Sequence, residues 1–455
     1  MGSVIEAGRL AAPARILVVG AGGREHALAW RLAGEPGVSE IVVAPGSDAL
    51  AAEDRVRVIA GVDPLDPAAV VAAARASAAE LVVVGPEAPL AAGVVDALTA
   101  AGIPAIGPSR EAARLETSKA FCHEVAAAAG VRMARARAFG GDEVEAARAF
   151  VTELAAGGLG IVLKADGLAG GKGVIVTEDA AEARALVPGF VSGRGHASPA
   201  LVVEERLAGR EASVIAICDG ETAIALPAAR DHKRIGDGDR GPNTGGMGAY
   251  SPLPDLDDAA VATIVETIHR PILAEMAARG TPFRGFLYAG LMLTADGPAL
   301  LECNARLGDP EAQVMLPRLA TSLGPILLAA ARGVLPSGLP VILPTLPGAA
   351  VGIVLAAAGY PRDPRRGDRI DGLEVARERG GLVFHAGTVA APGGGYRTSG
   401  GRVLTVVGRG PSLALARSAA EDAADAIAFP GLQRRHDIGL DVVTATAASP
   451  AGVSA

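Results

Sequence analysis

Short apolar runs recur along the chain, each ended by a cluster of glycine, proline or charged residues. Residues 15–19 and 40–44 read as short strands, and residues 81–84 are fully apolar, as a strand in the middle of a parallel sheet is. Between them, residues 25–32 read as a helix, and Pro64 and Pro67 open an alanine-rich helix to about residue 79. Strand, glycine turn, helix is the opening of a doubly wound α/β unit, expected over residues 14–115. The pattern then changes. Residues 161–176 read strand, glycine loop, strand. A helix starts at Lys119 with Thr117 or Ser118 as its cap. Residues 201–203 form another strand, and residues 285–293 and 299–304 read as a strand pair. Residues 235–252 show neither helical nor strand period and read as one long polar loop, a length that points to function. Residues 352–357, 383–385 and 402–407 read as short strands before an alanine-rich helix over 413–427, a small α+β cap. No internal repeat is visible.

The chain has 455 residues, too many for one core, and the length prior gives about three domains. The expected divisions are an extension over 1–13, units over 14–115, 116–330 (with a lid subdomain at about 135–203) and 345–445, and a tail over 446–455. Aromatic residues are 3% of the total, so the core must be built from Ala, Val, Leu and Ile. The formal charge of −8 argues against a nucleic-acid partner but leaves room for a local basic pocket. Cys122, Cys218 and Cys303 are far apart and form no C-x-x-C pair, so neither a disulfide framework nor a zinc site is suggested. No apolar run reaches membrane-spanning length and the first residues do not form a signal peptide. A cytoplasmic chain without membrane partner is expected.

The densest chemistry lies in residues 161–176. Gly167, Gly170, Gly171 and Gly173 allow close backbone approach to an anion, and Lys164 and Lys172 add charge. The loop reads as a flap over a polyphosphate or as an ordinary surface hairpin. It is no Walker A loop, because Asp166 stands where the first glycine should be and Gly173 where Ser or Thr should be. In the N-terminal turn Gly20 and Gly22 fit a dinucleotide fingerprint, but Glu25 replaces the third glycine, which speaks against a nicotinamide dehydrogenase. A phosphate near Arg24 remains open there. Glu87 is either a ligand or an acid favoured by a helix N-terminus. Lys119 sits in a first helical turn, the wrong end for a cation stabilised by the dipole. Glu204, Glu205 and Glu211 follow a strand beside the flap, as nucleotide acceptors or solvated edge charges. Glu302 and Asn304 share one strand face, with Arg306 in the same parity. A carboxylate and an amide oxygen suit a hard cation bridged to phosphates. His385 reads as a packing residue.

Taken together, residues 20–27, 84–90, 118–121, 164–173, 231–234, 241–252, 285–292, 302–311, 384–388 and 437–439 closely resemble the phosphoribosylamine–glycine ligase (glycinamide ribonucleotide synthetase) family of the ATP-grasp superfamily. The run Asn-Thr-Gly-Gly-Met-Gly-Ala-Tyr at 243–250 is its most specific part. The resemblance implies an N-terminal α/β domain, an ATP-grasp domain with a small glycine-rich lid, and an α+β cap. It implies an ATP-dependent ligation of glycine to 5-phosphoribosylamine through glycyl phosphate, in purine synthesis. By position, Lys119, Lys164, Gly170, Gly171, Lys172 and Gly173 would bind phosphates, and Glu204, Glu205 and Glu211 adenine and ribose. Glu302 and Asn304 would hold Mg2+ or Mn2+. Arg306, Asp231, Lys233 and the loop residues Asn243, Thr244, Gly245, Gly246, Met247 and Gly248 would line the glycine end. Gly22, Gly23, Pro45, Gly46, Ser47 and Glu87 would receive phosphoribosylamine. A monomer is expected, a weak dimer the alternative. Arg230, Arg240, Cys303 and Arg362 depart from the family pattern. Another ATP-grasp carboxylate–amine ligase and a non-catalytic nucleotide binder are the competing readings.

Overall fold

The computed structural model describes residues 10–168, 173–191 and 200–443. The expected extension and tail, Gly170, Gly171 and Lys172 thus lie wholly or largely outside the described residues. The N-terminal unit runs β1 (Arg15–Gly20), α1 (Gly23–Ala33), β2 (Glu40–Pro45), β3 (Val56–Val58), α2 (Pro67–Ala76), β4 (Leu81–Val84), α3 (Glu87–Ala92), α4 (Val94–Ala100) and β5 (Ala105–Ile106). Its five strands are parallel in the order β3–β2–β1–β4–β5. Central β1 and β4 are covered on both faces, which is why their sequences are unbroken apolar runs. Asp66 caps α2 by accepting from Ala68 N and Ala69 N. That helix ends at Ala76, short of 79, because the Ser77 hydroxyl bonds back to Ala73 O and Ala78 turns to φ 48°. After β1, the Glu25 carboxylate folds under the turn and accepts from Gly22 N at 2.7 Å and Arg24 Nε at 2.6 Å. A Cβ at Gly85 would stand 2.1 Å from it, so this acid occupies the space where a dinucleotide turn needs glycine.

Helices α5 (Arg114–Thr117) and α6 (Lys119–Ala128) lead to β6 (Ala136–Phe139), α7 (Val144–Ala156), β7 (Ile161–Ala165), β8 (Val174–Thr177), α8 (Ala180–Val191) and β9 (Leu201–Glu205). The order β6–β9–β7–β8 makes a small antiparallel sheet. With α7 and α8 it closes a core of its own around Phe139, Phe150, Leu163 and Val187. Next come β10 (Arg210–Asp219), β11 (Ala223–Ala225), β12 (Arg230–Asp231), β13 (Arg234–Gly236), β14 (Arg240–Asn243), β15 (Gly248–Ser251), α9 (Asp258–Ile264), α10 (Arg270–Ala278), β16 (Arg284–Thr294), β17 (Gly297–Asn304), α11 (Glu311–Met315) and α12 (Gly324–Ala331). An antiparallel sheet β11–β10–β16–β17 carries the middle of the molecule. The last unit holds β18 (Ala349–Ala356), β19 (Arg369–Ile370), α13 (Leu373–Glu378), β20 (Leu382–His385), β21 (Thr388–Ala390), β22 (Tyr396–Thr398), β23 (Arg402–Gly410) and α14 (Leu413–Ala424). Among the described residues, no helix is long and apolar enough to cross a membrane.

One expectation is corrected. Residues 235–252 are not a structureless loop. They hold the hairpin β13–β14 and the strand β15. β15 joins β18 in a sheet ordered β12–β15–β18–β23–β20, so residues of the middle unit complete the sheet of the last unit. The pairing partner lies about a hundred residues away, so no local pattern announces it. Gly248 permits the approach: a Cβ there would stand 2.6 Å from Gly352 O.

The N-terminal unit is fastened on two sides. Glu35 accepts from Leu323 N at 2.6 Å and Gly324 N at 2.8 Å at the start of α12. His385, fully buried, donates its backbone N–H to His26 Nδ1 at 3.0 Å, and its own Nδ1 meets Thr388 Oγ1 at 3.0 Å. Its Nε2 has no hydrogen-bond partner among the described residues. Burial, with the nearby His26 and Arg377, pushes the His385 imidazole down to about 3. In the unfolded chain it takes a proton near pH 6.5, so acid favours unfolding. Stability should therefore fall below pH 6.5 with a slope of up to about 1.4 kcal/mol per pH unit from this group. Denaturant titrations between pH 7.5 and 5 should show His385→Gln with a shallower slope than the parent. An unchanged slope would remove His385 from the account.

Candidate active site

A cleft of about 350 Å³ lies where the small β6–β9–β7–β8 sheet, the N-terminal unit, β17 and the last sheet meet. At one end Lys164, the fourth residue of β7, is buried and donates to Glu204 Oε2 at 2.7 Å and Leu301 O at 3.0 Å. The other oxygen of Glu204 meets His123 Nε2 at 2.7 Å. Burial works to raise the Glu204 carboxyl, but Lys164 and His123 outweigh it and hold it below the usual range. Ser118 caps α6 through Phe121 N. Asp166, from the flap, also sits on that helix end, accepting from Lys119 N at 2.6 Å and Ala120 N at 3.2 Å. Lys119 Nζ donates to Gly167 O at 2.9 Å, tying the flap to α6. Burial lowers its ammonium, against the pull of Glu302 and Asp166.

In the middle, Glu302 and Asn304 lie on one face of β17, with Asn304 Nδ2 3.4 Å from Glu302 Oε1. Cys303, between them, turns into the core. At the far end Arg306 Nε stands 3.3 Å from Glu87 and Nη2 3.2 Å from Glu116. Glu116 also accepts from Ala305 N at 2.7 Å. Burial opposes the Arg306 charge, yet Glu116 and Glu87 raise its pKa. Glu87 is raised by burial but pulled below its ordinary value by Arg306 and Arg24. Burial keeps Glu116 above its own. Arg402, from β23, bonds Asp309 Oδ2 at 3.0 Å and the carbonyl of Gly245. Lys233 bridges Asp231 at 3.2 Å and Glu211 at 2.6 Å. Burial opposes its charge, but these two carboxylates hold it well above the ordinary lysine value.

Family models match nearly the whole chain in order. They are the phosphoribosylglycinamide synthetase N domain over residues 14–116, its ATP-grasp (A) domain over 117–312 and its C domain over 350–441. The chain belongs to the phosphoribosylglycinamide synthetase family. The chain is 47% identical over 425 residues to the phosphoribosylamine–glycine ligase of Caulobacter vibrioides, covering 93% of this chain and 97% of that one. It is 49% identical over 428 residues to the Streptomyces coelicolor ligase, covering 93% and 98%. The crystal structure of the Thermotoga maritima ligase superposes with a TM-score of 0.76 at 32% identity, covering 93% of this chain and all of that one. A biotin carboxylase from Campylobacter jejuni shares the fold, with a TM-score of 0.66 at 19% identity. As a family member the chain is a multidomain ATP-grasp ligase. It joins glycine to 5-phosphoribosylamine with ATP, giving glycinamide ribonucleotide, ADP and phosphate.

Of the residues the sequence singles out, Lys119, Lys164, Gly173, Glu204, Glu87, Asp231, Lys233, Thr244, Gly245, Glu302, Asn304 and Arg306 line the cleft. Others do not. Glu205 accepts from Arg135 N at 2.9 Å, away from it. Glu211 stands behind Lys233. Asn243 pairs with Arg234 in the hairpin, Gly246 abuts Pro310, Met247 is buried against Val354, and Gly248 serves the β15–β18 pairing. Gly22, Gly23, Pro45, Gly46 and Ser47 form the neighbouring turns outside the cleft wall, where the Ser47 hydroxyl is buried without a partner. Gly170, Gly171 and Lys172 fall outside the described residues. Glu116, His123, Tyr288, Glu311 and Arg402 line the cleft although sequence reasoning gave them no role. Only their burial and long-range contacts reveal them. Among the departures, Arg230 is a buried strut to Tyr250 and Asp255, and Arg240 and Arg362 are exposed.

Glu302 and Asn304 fit Mg2+ or Mn2+ by donor chemistry, both being hard oxygen ligands. Among the described residues no group of three His, Cys, Asp or Glu could hold an ion unaided. The Arg306 set carries its own test. Arg306→Met should leave Glu116 buried without a cation and cost about 3–5 kcal/mol of stability. Adding Glu116→Gln should restore much of the melting temperature but not turnover. Recovery of both would make Arg306 purely structural.

Proposed function

We propose that this cleft performs the ligation in two steps through glycyl phosphate. The observation carrying this is the joining of two lysines and a carboxylate–amide pair at one end to a guanidinium–carboxylate set at the other, in one cavity. Phosphoryl transfer asks for positioning and charge neutralisation rather than a protein nucleophile. Lys119 and Lys164 would take the nucleotide phosphates, with Gly173 and the flap over them and Glu204 toward the nucleoside. Mg2+ or Mn2+ on Glu302 and Asn304 supplies charge neutralisation at the transferred phosphate when bound. A glycine carboxylate oxygen would bond to the γ-phosphorus as the bond to ADP breaks, beside Arg306, Asp231 and Lys233. The turns at Gly22–Gly23 and Pro45–Ser47, with Glu87, would receive phosphoribosylamine, and the unpartnered Ser47 hydroxyl suits a phosphate or ribose oxygen. The amine would then displace phosphate from the acyl carbon. The reading places the chain in the cytoplasm, acting as a monomer on small molecules.

ADP release from Mg-ATP should require both glycine and freshly made phosphoribosylamine. Glu302→Ala should lower kcat by about 10²-fold or more if its carboxylate acts on the transferred phosphate. Full turnover in the variant would remove Glu302 from the metal assignment. A higher kcat/KM for another amine substrate than for phosphoribosylamine would favour a related ligase.

A further inference from the structure

Glu311 stands apart from the other buried carboxylates of the cleft. It opens α11, is 3% exposed, and lines the cavity. The other two buried carboxylates, Glu116 and Glu204, each touch a cation, and the half-buried Glu302, which has no ion pair among the described residues, lies on β17 beside Asn304. Among the described residues, no cation lies within ion-pair distance of Glu311. Its Oε1 accepts instead from Tyr288 OH at 3.0 Å and Ser213 Oγ at 3.2 Å, and those two hydroxyls are 2.8 Å apart. Its Oε2 lies over Gly308, where a Cβ would stand only 2.4 Å away, so the turn leaves no slack around the carboxylate. The charges facing it are Asp231 and Lys233 beyond β12 and Arg306 after β17. Glu302 on β17 acts on the same Tyr288 and Lys233.

We propose that Glu311 is the proton acceptor for the amide-forming step. A rigid carboxylate, unneutralised and held by hydroxyls at the substrate end of the cleft, is what an attacking amine requires. In that step the amine lone pair forms the C–N bond and the acyl C–O bond breaks. The electron pair leaves with phosphate, and the proton shed by nitrogen passes to Glu311, which later returns it to water. Burial, followed by the nearby Asp231 charge, pushes this carboxyl up to about 7, where taking and releasing a proton are balanced at neutral pH. The inference rests on the glycyl-phosphate reading above.

Hydroxylamine separates the two. It is neutral and nucleophilic at pH 7 and traps an acyl phosphate as the hydroxamate without a protein base. The parent enzyme with Mg-ATP, glycine and hydroxylamine should yield glycyl hydroxamate; if it does not, the glycyl-phosphate reading fails. Glu311→Gln should keep hydroxamate formation within about 3-fold while amide formation falls by about 10²-fold or more. The limb of the kcat–pH profile near neutrality should disappear, and Glu311→Asp should recover part of the amide rate. Tyr288→Phe, which leaves the carboxylate in place, should show the same split in smaller degree and covers the case of a poorly folded Glu311→Gln. Loss of hydroxamate and amide together in folded variants would overturn the proposal, placing Glu311 on glycine or nucleotide. Unchanged amide formation would overturn it equally.

Discussion

Arg306 lies between Glu87, which opens a helix of the N-terminal unit, and Glu116, on the way into the middle one. Taking three charges out of water is unfavourable unless the geometry satisfies them all. Here Glu116 also accepts from Ala305 N and Arg306 donates to Leu307 O, while burial still holds the Glu116 carboxyl above its ordinary value. The backbone on both sides of Arg306 is thereby held. It immediately follows the strand that presents Glu302 and Asn304. The distance between the proposed metal pair and the N-terminal turns is therefore set by this ion-pair set rather than by a flexible linker. The rest of the cleft is arranged around that spacing.

The chain is acidic overall, yet the cleft balances its charges locally. Lys164, Arg306, Arg402 and Lys233 are each paired with a carboxylate. On the proposed reading, a polyphosphate arriving at Lys164 would exchange one anion for another. Glu204 then keeps His123, so the exchange leaves no stranded buried charge. Pre-paired cations cost some affinity, but they hold each side chain where the phosphate will need it, which suits a reaction driven by positioning.

Local periodicity made much of this legible. The two strands within 161–176, the N-terminal strand and helix order and the shared face of Glu302 and Asn304 are all short-range patterns, and the structure has them. Glu204 and Glu205 show the same rule used too loosely. They are neighbours on β9, so alternation sends them to opposite faces, and only Glu204 lines the cleft. Glu116, Glu311 and Arg402 were illegible for the opposite reason. Each is an ordinary polar residue in sequence, and what marks it is contact with partners far away along the chain.

Residues 230–251 show where long-range order matters most. Their strands β12 and β15 owe their existence to β18, and β23 beyond it supplies Arg402. That guanidinium reaches back to Gly245 O and Asp309. The last unit is thus more than a cap, since its Tyr360 and Arg402 hold Gly245 in the turn that leads into β15. The flap hairpin rests on a different foundation, a small sheet and two helices with a separate core. On the proposed reading, a substitution in the β15–β18 pairing would disturb the turn at Thr244 and Gly245, whereas one in the small core would disturb the sheet that carries Lys164. The two failures are mechanically separable because they belong to two cores.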